Sequence, residues 1–258
     1  MGSREMRVLA LYNIKGGVGK TAGAVNLAYL SAKAGNRTLI VDLDPQGACS
    51  FYLRTESGIS TGKKSWLKGK DKILHDIKGT NYRNLDILPA DFSFRNLDLL
   101  LSEMKKPKKR ISRSLRPMSG RYDVIFFDCP PNITLVSENI FHSADIILVP
   151  VVPTTLCIRT FMQLCEFLDN QKGKTGKVVP FFSMVEKRKT LHQDIITAFR
   201  SEIPAAMKSQ IPYASLIEKM GIFREPVDRY AGSSPAARAY RRLWKEIKRS
   251  EDLFSQGS

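Results

Sequence analysis

Seven consecutive residues, Lys15-Gly16-Gly17-Val18-Gly19-Lys20-Thr21, carry the clearest chemistry in this 258-residue chain. Their three glycines let a backbone turn tightly and aim successive N–H groups at one point, as a bound phosphate requires. An apolar run, Arg7–Asn13, leads into the loop, and a small-residue segment, Thr21–Ala28, leaves it. The order strand, glycine loop, helix brings the positive end of a helix dipole to the same point. Lys20 is then placed to reach the outer phosphates of a nucleotide, and the Thr21 hydroxyl to hold Mg²⁺. With the next backbone N–H, that of Ala22, the cradle runs from Lys15 through Gly16, Gly17, Val18, Gly19, Lys20 and Thr21 to Ala22.

Two acidic strand ends complete such a site. Leu39–Gly47 ends an apolar strand with two carboxylates, Asp42 and Asp44, and Val124–Phe127 delivers Asp128 ahead of Cys129-Pro130-Pro131. In open α/β sheets ligands bind beyond the carboxyl ends of the strands, so Asp42, Asp44 and Asp128 are predicted beside the loop. Asp128 suits Mg²⁺ held through a water molecule. Transfer of a phosphoryl group needs in-line placement and charge neutralisation more than a strong base, so a water-positioning carboxylate is sufficient.

The elements that must position these residues are legible as alternating apolar runs and helical patterns. Strands are predicted at Val8–Tyr12, Thr38–Val41, Leu85–Leu88, Val124–Phe127, Ile146–Val151 and Val178–Met184. Helices are predicted at 22–34, 93–104, 134–142, 156–169, 190–201 and 234–249. Several strands are continuous Val/Ile/Leu/Phe runs, the pattern of parallel strands covered on both faces. The predicted fold is therefore α/β: a doubly wound, mainly parallel sheet flanked by helices. One domain is expected over 7–249, with 1–6 an added or disordered start and 250–258 a tail.

Composition narrows the setting. The chain is 43% apolar, enough for one large core, and has no run near the ~18–20 apolar residues of a membrane span. Its four cysteines lack C-x-x-C spacing and read as reduced thiols of a cytoplasmic protein. The net charge of +16 exceeds what a nucleotide site needs and implies a second polyanion, nucleic acid or an anionic membrane surface. The excess lies in three stretches: Lys63–Lys72 with five lysines, Lys105–Arg116 with seven basic residues, and Arg238–Arg249 with six.

The loop departs from the standard G-x-x-x-x-G-K-[ST] pattern, with Ile14 in place of the first glycine and an extra lysine, Lys15. That form resembles the deviant Walker A loop of the ParA/MinD ATPase superfamily. Asp42-Leu43-Asp44-Pro45-Gln46-Gly47 is similar to its switch I motif, and Asp128 to its Walker B acid. Leu88-Pro89-Ala90-Asp91, Val149–Pro153 and Ile211-Pro212 follow in the family's order, so the resemblance covers residues 7–249. It is nearest to the short ParA/Soj type.

The resemblance implies a P-loop fold and Mg²⁺-dependent ATP hydrolysis. Lys15, Lys20 and Asp44 would be the catalytic residues: Lys15 reaches across a dimer interface, and Asp44 orients the attacking water with Asp42 in support near the metal. Ile211 and Pro212 would flank adenine, with Met184 at the neighbouring strand end. It also implies an ATP-dependent homodimer that binds DNA without sequence preference. A ParB-like partner would activate it, to position a plasmid, chromosome region or protein cargo on the nucleoid. Arg188 matches a family position associated with DNA, and Arg238, Arg241, Arg242 and Lys245 supply a basic helix. Two departures stand out. Ala22 replaces a frequent Ser or Thr, and the segment after Pro212 lacks the family's arginine stretch, where Lys219 is the candidate substitute. Three rivals share the loop. A MinD-like membrane ATPase would need a free terminal amphipathic helix. A nitrogenase-iron-protein type would use Cys129 but lacks a matched cluster-ligand set. A synthetase phosphorylating a carboxylate would leave the +16 charge unexplained.

Overall fold

The strand-forming runs assemble into one eight-stranded sheet of order β3-β4-β2-β5-β1-β6-β7-β8 in a computed structural model that describes residues 6–60, 66–68 and 71–254. The long strands are β1 (Arg7–Leu11), β2 (Thr38–Asp42), β4 (Leu85–Leu88), β5 (Val124–Asp128), β6 (Ile146–Val151) and β7 (Lys177–Val185). All of these pair in parallel, and β3 (Lys78–Gly79) alone runs antiparallel, against β4. The far edge is the three-residue β8 (Gln210–Pro212), parallel to β7 with an irregular register between Phe182 and Val185.

Helices cover both faces, as parallel crossovers require. In chain order they are α1 (Lys20–Lys33), α2 (Ala48–Tyr52), α3 (Leu97–Ser102), α4 (Arg110–Ser114), α5 (Leu135–Ser143) and α6 (Thr155–Asp169). They continue with α7 (Thr190–Glu202), α8 (Ser215–Glu218), α9 (Met220–Phe223), α10 (Val227–Tyr230) and α11 (Pro235–Phe254). Side-chain alternation divides the sheet into two cores. Ala10, Val41, Phe127 and Val149 face α5 and α6, whereas Leu11, Ile40, Phe126 and Leu148 face α1 and α11.

The predicted helix over 93–104 is instead a 3-10 turn, Phe92–Asn96, that passes into the short α3. Asp91 explains the start: its side chain accepts the Ser93 N–H at 2.8 Å. The predicted 234–249 helix continues as α11 to Phe254, so the expected tail from 250 begins helical. Most lysines of the 63–72 stretch lie outside the described residues.

Candidate nucleotide site

The glycine loop joins the end of β1 to the start of α1, and one side chain, that of Asn13, pins it through two hydrogen bonds. Asn13 donates to the Pro150 carbonyl at 2.8 Å and accepts the Lys15 N–H at 2.8 Å, which ties the loop to the end of β6. Gly17 and Gly19 both adopt positive φ, +71° and +93°. At Gly19 a Cβ would also stand 2.9 Å from the Ser183 hydroxyl, so neither conformation nor space admits a side chain there.

Lys20 opens α1 and is 7% exposed; its ammonium donates to the Lys15 carbonyl at 3.1 Å. Burial pushes its pKa below the ordinary lysine value, and the carboxylates of Asp128 and Asp44 pull it back only in part. A desolvated ammonium at a helix start, under a glycine cradle, is matched to an anion.

The two buried acids arise from strand register. Asp42 and Asp128 are paired positions at the ends of β2 and β5, and Asp128 also pairs with Leu11 at the end of β1. Period-two alternation points both carboxylates to the α1 face, where Lys20 and Thr21 begin the helix. Both residues are fully buried. Asp42 accepts the Ser50 N–H at 2.8 Å and the Ser50 hydroxyl at 2.7 Å, and that hydroxyl in turn accepts the Ala90 N–H at 3.0 Å. Burial is the largest influence on its carboxyl, raised to about 6. The Asp128 carboxyl is pushed well above the usual range, by burial first and the Asp42 charge second, with the Thr21 hydroxyl and Lys20 opposing. Neither Asp128 oxygen has a partner at full hydrogen-bond geometry, the Thr21 hydroxyl being the neighbouring donor. An orphaned buried carboxylate beside a threonine hydroxyl is a fitting donor set for a hard divalent cation.

Asp42 sits beside Asp128, with Ser50 holding its Oδ2 and its Oδ1 without a partner, and neither acid lines the open cavity. Asp44 does line it, with Oδ1 accepting the Gln46 N–H at 2.9 Å.

Beyond the loop lies a cavity of about 330 Å³. Gly16, Gly17, Gly19, Lys20, Thr21, Ala22 and Asp44 line it, and so do Met184, Ile211 and Pro212. Val18 is instead buried beneath the loop. Sequence reading missed Tyr213, Ile217, Glu218, Tyr52, Ser183 and Tyr240, which complete the walls. None carries a motif; the nearest signal is that Tyr213 directly follows Ile211-Pro212. Met184, which lines the cavity, adopts φ +56° at the β7–β8 irregularity.

Lys15 does not enter this cavity. Its ammonium lies 3.3 Å from the Cys157 sulfur in the first turn of α6. The basic residues proposed from sequence separate into two kinds. Arg188, Lys219, Arg238, Arg242 and Lys245 are exposed. Arg241 is engaged: it pairs at 3.2 Å with Asp228, whose side chain is 2% exposed and also binds Lys33 at 2.7 Å. Arg242 shares a recess of about 220 Å³ with Lys187 and Lys208. The four cysteines are free thiols, and no group of three or more metal-binding side chains of the His/Cys/Asp/Glu kind occurs among the described residues. No helix among them is long and apolar enough to cross a membrane.

A glycine loop feeding a helix N-terminus at the carboxyl end of a parallel sheet, flanked by acids on adjacent strands, defines a P-loop nucleotide-binding protein. A family model described as an AAA domain matches residues 6–179, and the chain belongs to that family. The chromosome partitioning protein ParA of Caulobacter vibrioides is 27% identical over 257 residues, covering 96% of each chain. The sporulation initiation inhibitor protein Soj of Bacillus subtilis is 28% identical over 250 residues, covering 93% of this chain and 98% of Soj. Among solved structures, McdA of Cyanothece in complex with ATP superposes with a TM-score of 0.81 at 20% identity, covering 97% of this chain and 98% of McdA. Cobyrinic acid a,c-diamide synthase of Mycobacterium smegmatis, bound to an ATP analogue and magnesium, gives 0.78 at 26% identity, covering 95% and 94%. The chain is a P-loop protein of the ParA/MinD type.

Proposed function

We propose that this protein binds Mg-ATP in the 330 Å³ cavity, dimerises on doing so, binds DNA without sequence preference, and hydrolyses ATP when a ParB-like partner engages it. The observation that carries the reading is the conjunction at one point of the glycine cradle, the desolvated Lys20 and the orphaned Asp128 carboxylate. Together they supply fixed N–H donors, a positive charge and a metal-binding acid, which are the needs of a triphosphate. The relatives named partition proteins support the positioning role.

Each residue has a distinct task. Backbone N–H groups of residues 16–22 bind phosphate oxygens, and Lys20 neutralises the outer phosphates. Thr21 and Asp128 would hold Mg²⁺, which supplies charge neutralisation across the transferred group. Asp44, at the cavity edge, orients the attacking water; Asp42 fixes Ser50 and through it the chain at Ala90. Lys15 is the residue that reaches the partner subunit's nucleotide, because Lys20 already serves its own. Leu243, Trp244 and Ile247 of α11 are buried against the sheet, which supports DNA rather than a membrane as the polyanion.

Asp44→Ala tests the chemistry. It should leave ATP affinity within about threefold and cut hydrolysis on the order of 10²-fold, since it removes a water-orienting group and no phosphate ligand. Equilibrium binding and single-turnover rates separate the two effects; unchanged turnover would remove Asp44 from the mechanism.

A further inference from the structure

One wall of the cavity rests on a short edge strand of the sheet. β8 has three residues, one neighbouring strand and an irregular register with it, yet Ile211 and Pro212 within it and Tyr213 after it line the cavity. A short edge strand paired on one side is poorly restrained by its ladder alone. The Met207 and Tyr213 N–H groups bond the Pro180 and Val185 carbonyls of β7 at either end, and side chains from two helices add to that restraint.

Glu246 of α11 meets the start of that strand. One carboxylate oxygen accepts the Lys208 N–H and the other accepts the Ser209 N–H, at 2.9 Å for Ser209. These are charge-assisted bonds to two successive backbone donors, a geometry that fixes direction as well as distance. From the opposite side the Arg200 guanidinium donates to the Met207 carbonyl at 3.2 Å and the Lys208 carbonyl at 2.8 Å. Residues 207–209 are therefore clamped between α7 and α11, immediately before the cavity-lining residues. The helix that supplies the carboxylate also lines the cavity through Tyr240 and carries Arg242, one turn before Glu246.

We infer that Glu246 is a positioning residue for the nucleobase: its carboxylate holds β8 at the base end of the cavity and so sets affinity for the base moiety, leaving the phosphate cradle untouched. The inference rests on the nucleotide reading of the cavity. It separates two parts of one ligand, because the phosphate end is built on β1 and α1 and the base end on β8. Loss of the clamp should loosen Ile211, Pro212 and Tyr213 while Gly16–Thr21 keep their own anchors in Asn13 and Pro150.

The experiment is calorimetric titration of ATP and of inorganic tripolyphosphate, each with Mg²⁺, into wild type, Glu246→Gln and Glu246→Ala. Glu246→Ala should bind ATP about tenfold more weakly, with tripolyphosphate affinity unchanged. Glu246→Gln keeps one acceptor oxygen and should fall between wild type and Glu246→Ala. It also keeps the test usable if the alanine variant fails to fold. Equal ATP affinity in wild type and the folded variants would overturn the inference, as would parallel loss of ATP and tripolyphosphate binding, which indicates general loosening. Failure of the wild type to bind ATP would instead overturn the nucleotide reading itself.

Discussion

At the scale of single residues, the unusual feature is two buried carboxylates at paired positions of neighbouring strands, each like-charged to the other. Burial raises Asp42 from the ordinary aspartate value of 3.8 to about 6 and pushes Asp128 well above its usual range. The sign of the consequence follows from linkage. Between pH 4 and 6 the native Asp42 holds a proton that the unfolded chain has already released. Its contribution to stability is thus complete below about pH 4 and is lost as pH rises through about 6, a change of about 1–3 kcal/mol. Metal-free protein should lose stability over that window by more than Asp42→Asn does, since the amide has no charge to bury. Urea unfolding in chelator at pH 4.5, 5.5 and 6.5 measures the difference, and parallel curves for the two proteins would contradict it. The same physics bears on the proposed metal role: a cation bound at Asp128 would offset the cost of burying that charge.

At the scale of elements, α11 shows how one helix serves two roles. Ala236, Ala237, Tyr240, Leu243, Trp244 and Ile247 form its buried stripe, while Arg238, Arg242 and Lys245 stay exposed. Arg241 lies between, half-buried, and with Lys33 it pairs the buried Asp228. Arg241→Ala should therefore cost about 1–2 kcal/mol of stability, by leaving a buried carboxylate with one partner. Arg242→Ala should cost under about 0.5 kcal/mol and act only on polyanion binding. Thermal unfolding and DNA retention measured on both variants would show the roles reversed if the helix were misassigned. The stripe and the long strands were legible in the sequence because they are local: periodicity 3.6 or 2 needs no knowledge of the rest of the chain. The phosphate loop and Asp128 were legible for the same reason. β3 and β8, at two and three residues, carry no readable period, and the short α8, α9 and α10 carry none either. The contacts of Lys15 with Cys157, of Asp42 with Ser50 in its own place, and of Glu246 with Ser209 depend on which segments the fold brings together. Sequence spacing contains no trace of the first and last of these, separated by 142 and 37 residues.

At the scale of the whole molecule, the question is what the charge of +16 serves. The exposed cations are spread over Lys105–Arg116, the Lys187-Arg188 turn and the face of α11, and Lys187, Lys208 and Arg242 converge on one recess from three segments. A membrane anchor would gather charge and a free apolar face at one terminus. Here the apolar side of α11 through Ile247 is spent on the sheet. A distributed surface of this kind suits a long, uniform polyanion. DNA retention should therefore be independent of sequence and be strengthened by ATP, since a dimer would double the number of phosphates one particle can reach. If about six phosphates are contacted, affinity should drop about 10³-fold between 50 and 200 mM salt. Lys15→Gln isolates the role of assembly. It leaves the basic surface intact, so it should abolish ATP-dependent dimers in sedimentation and reduce DNA retention to the weaker, ATP-independent level of a monomer. Dimers of equal strength in Lys15→Gln and wild type would break the link between the extra lysine and assembly. Strong ATP-dependent binding to anionic vesicles, with no retention on DNA at low salt, would transfer the charge to a membrane partner.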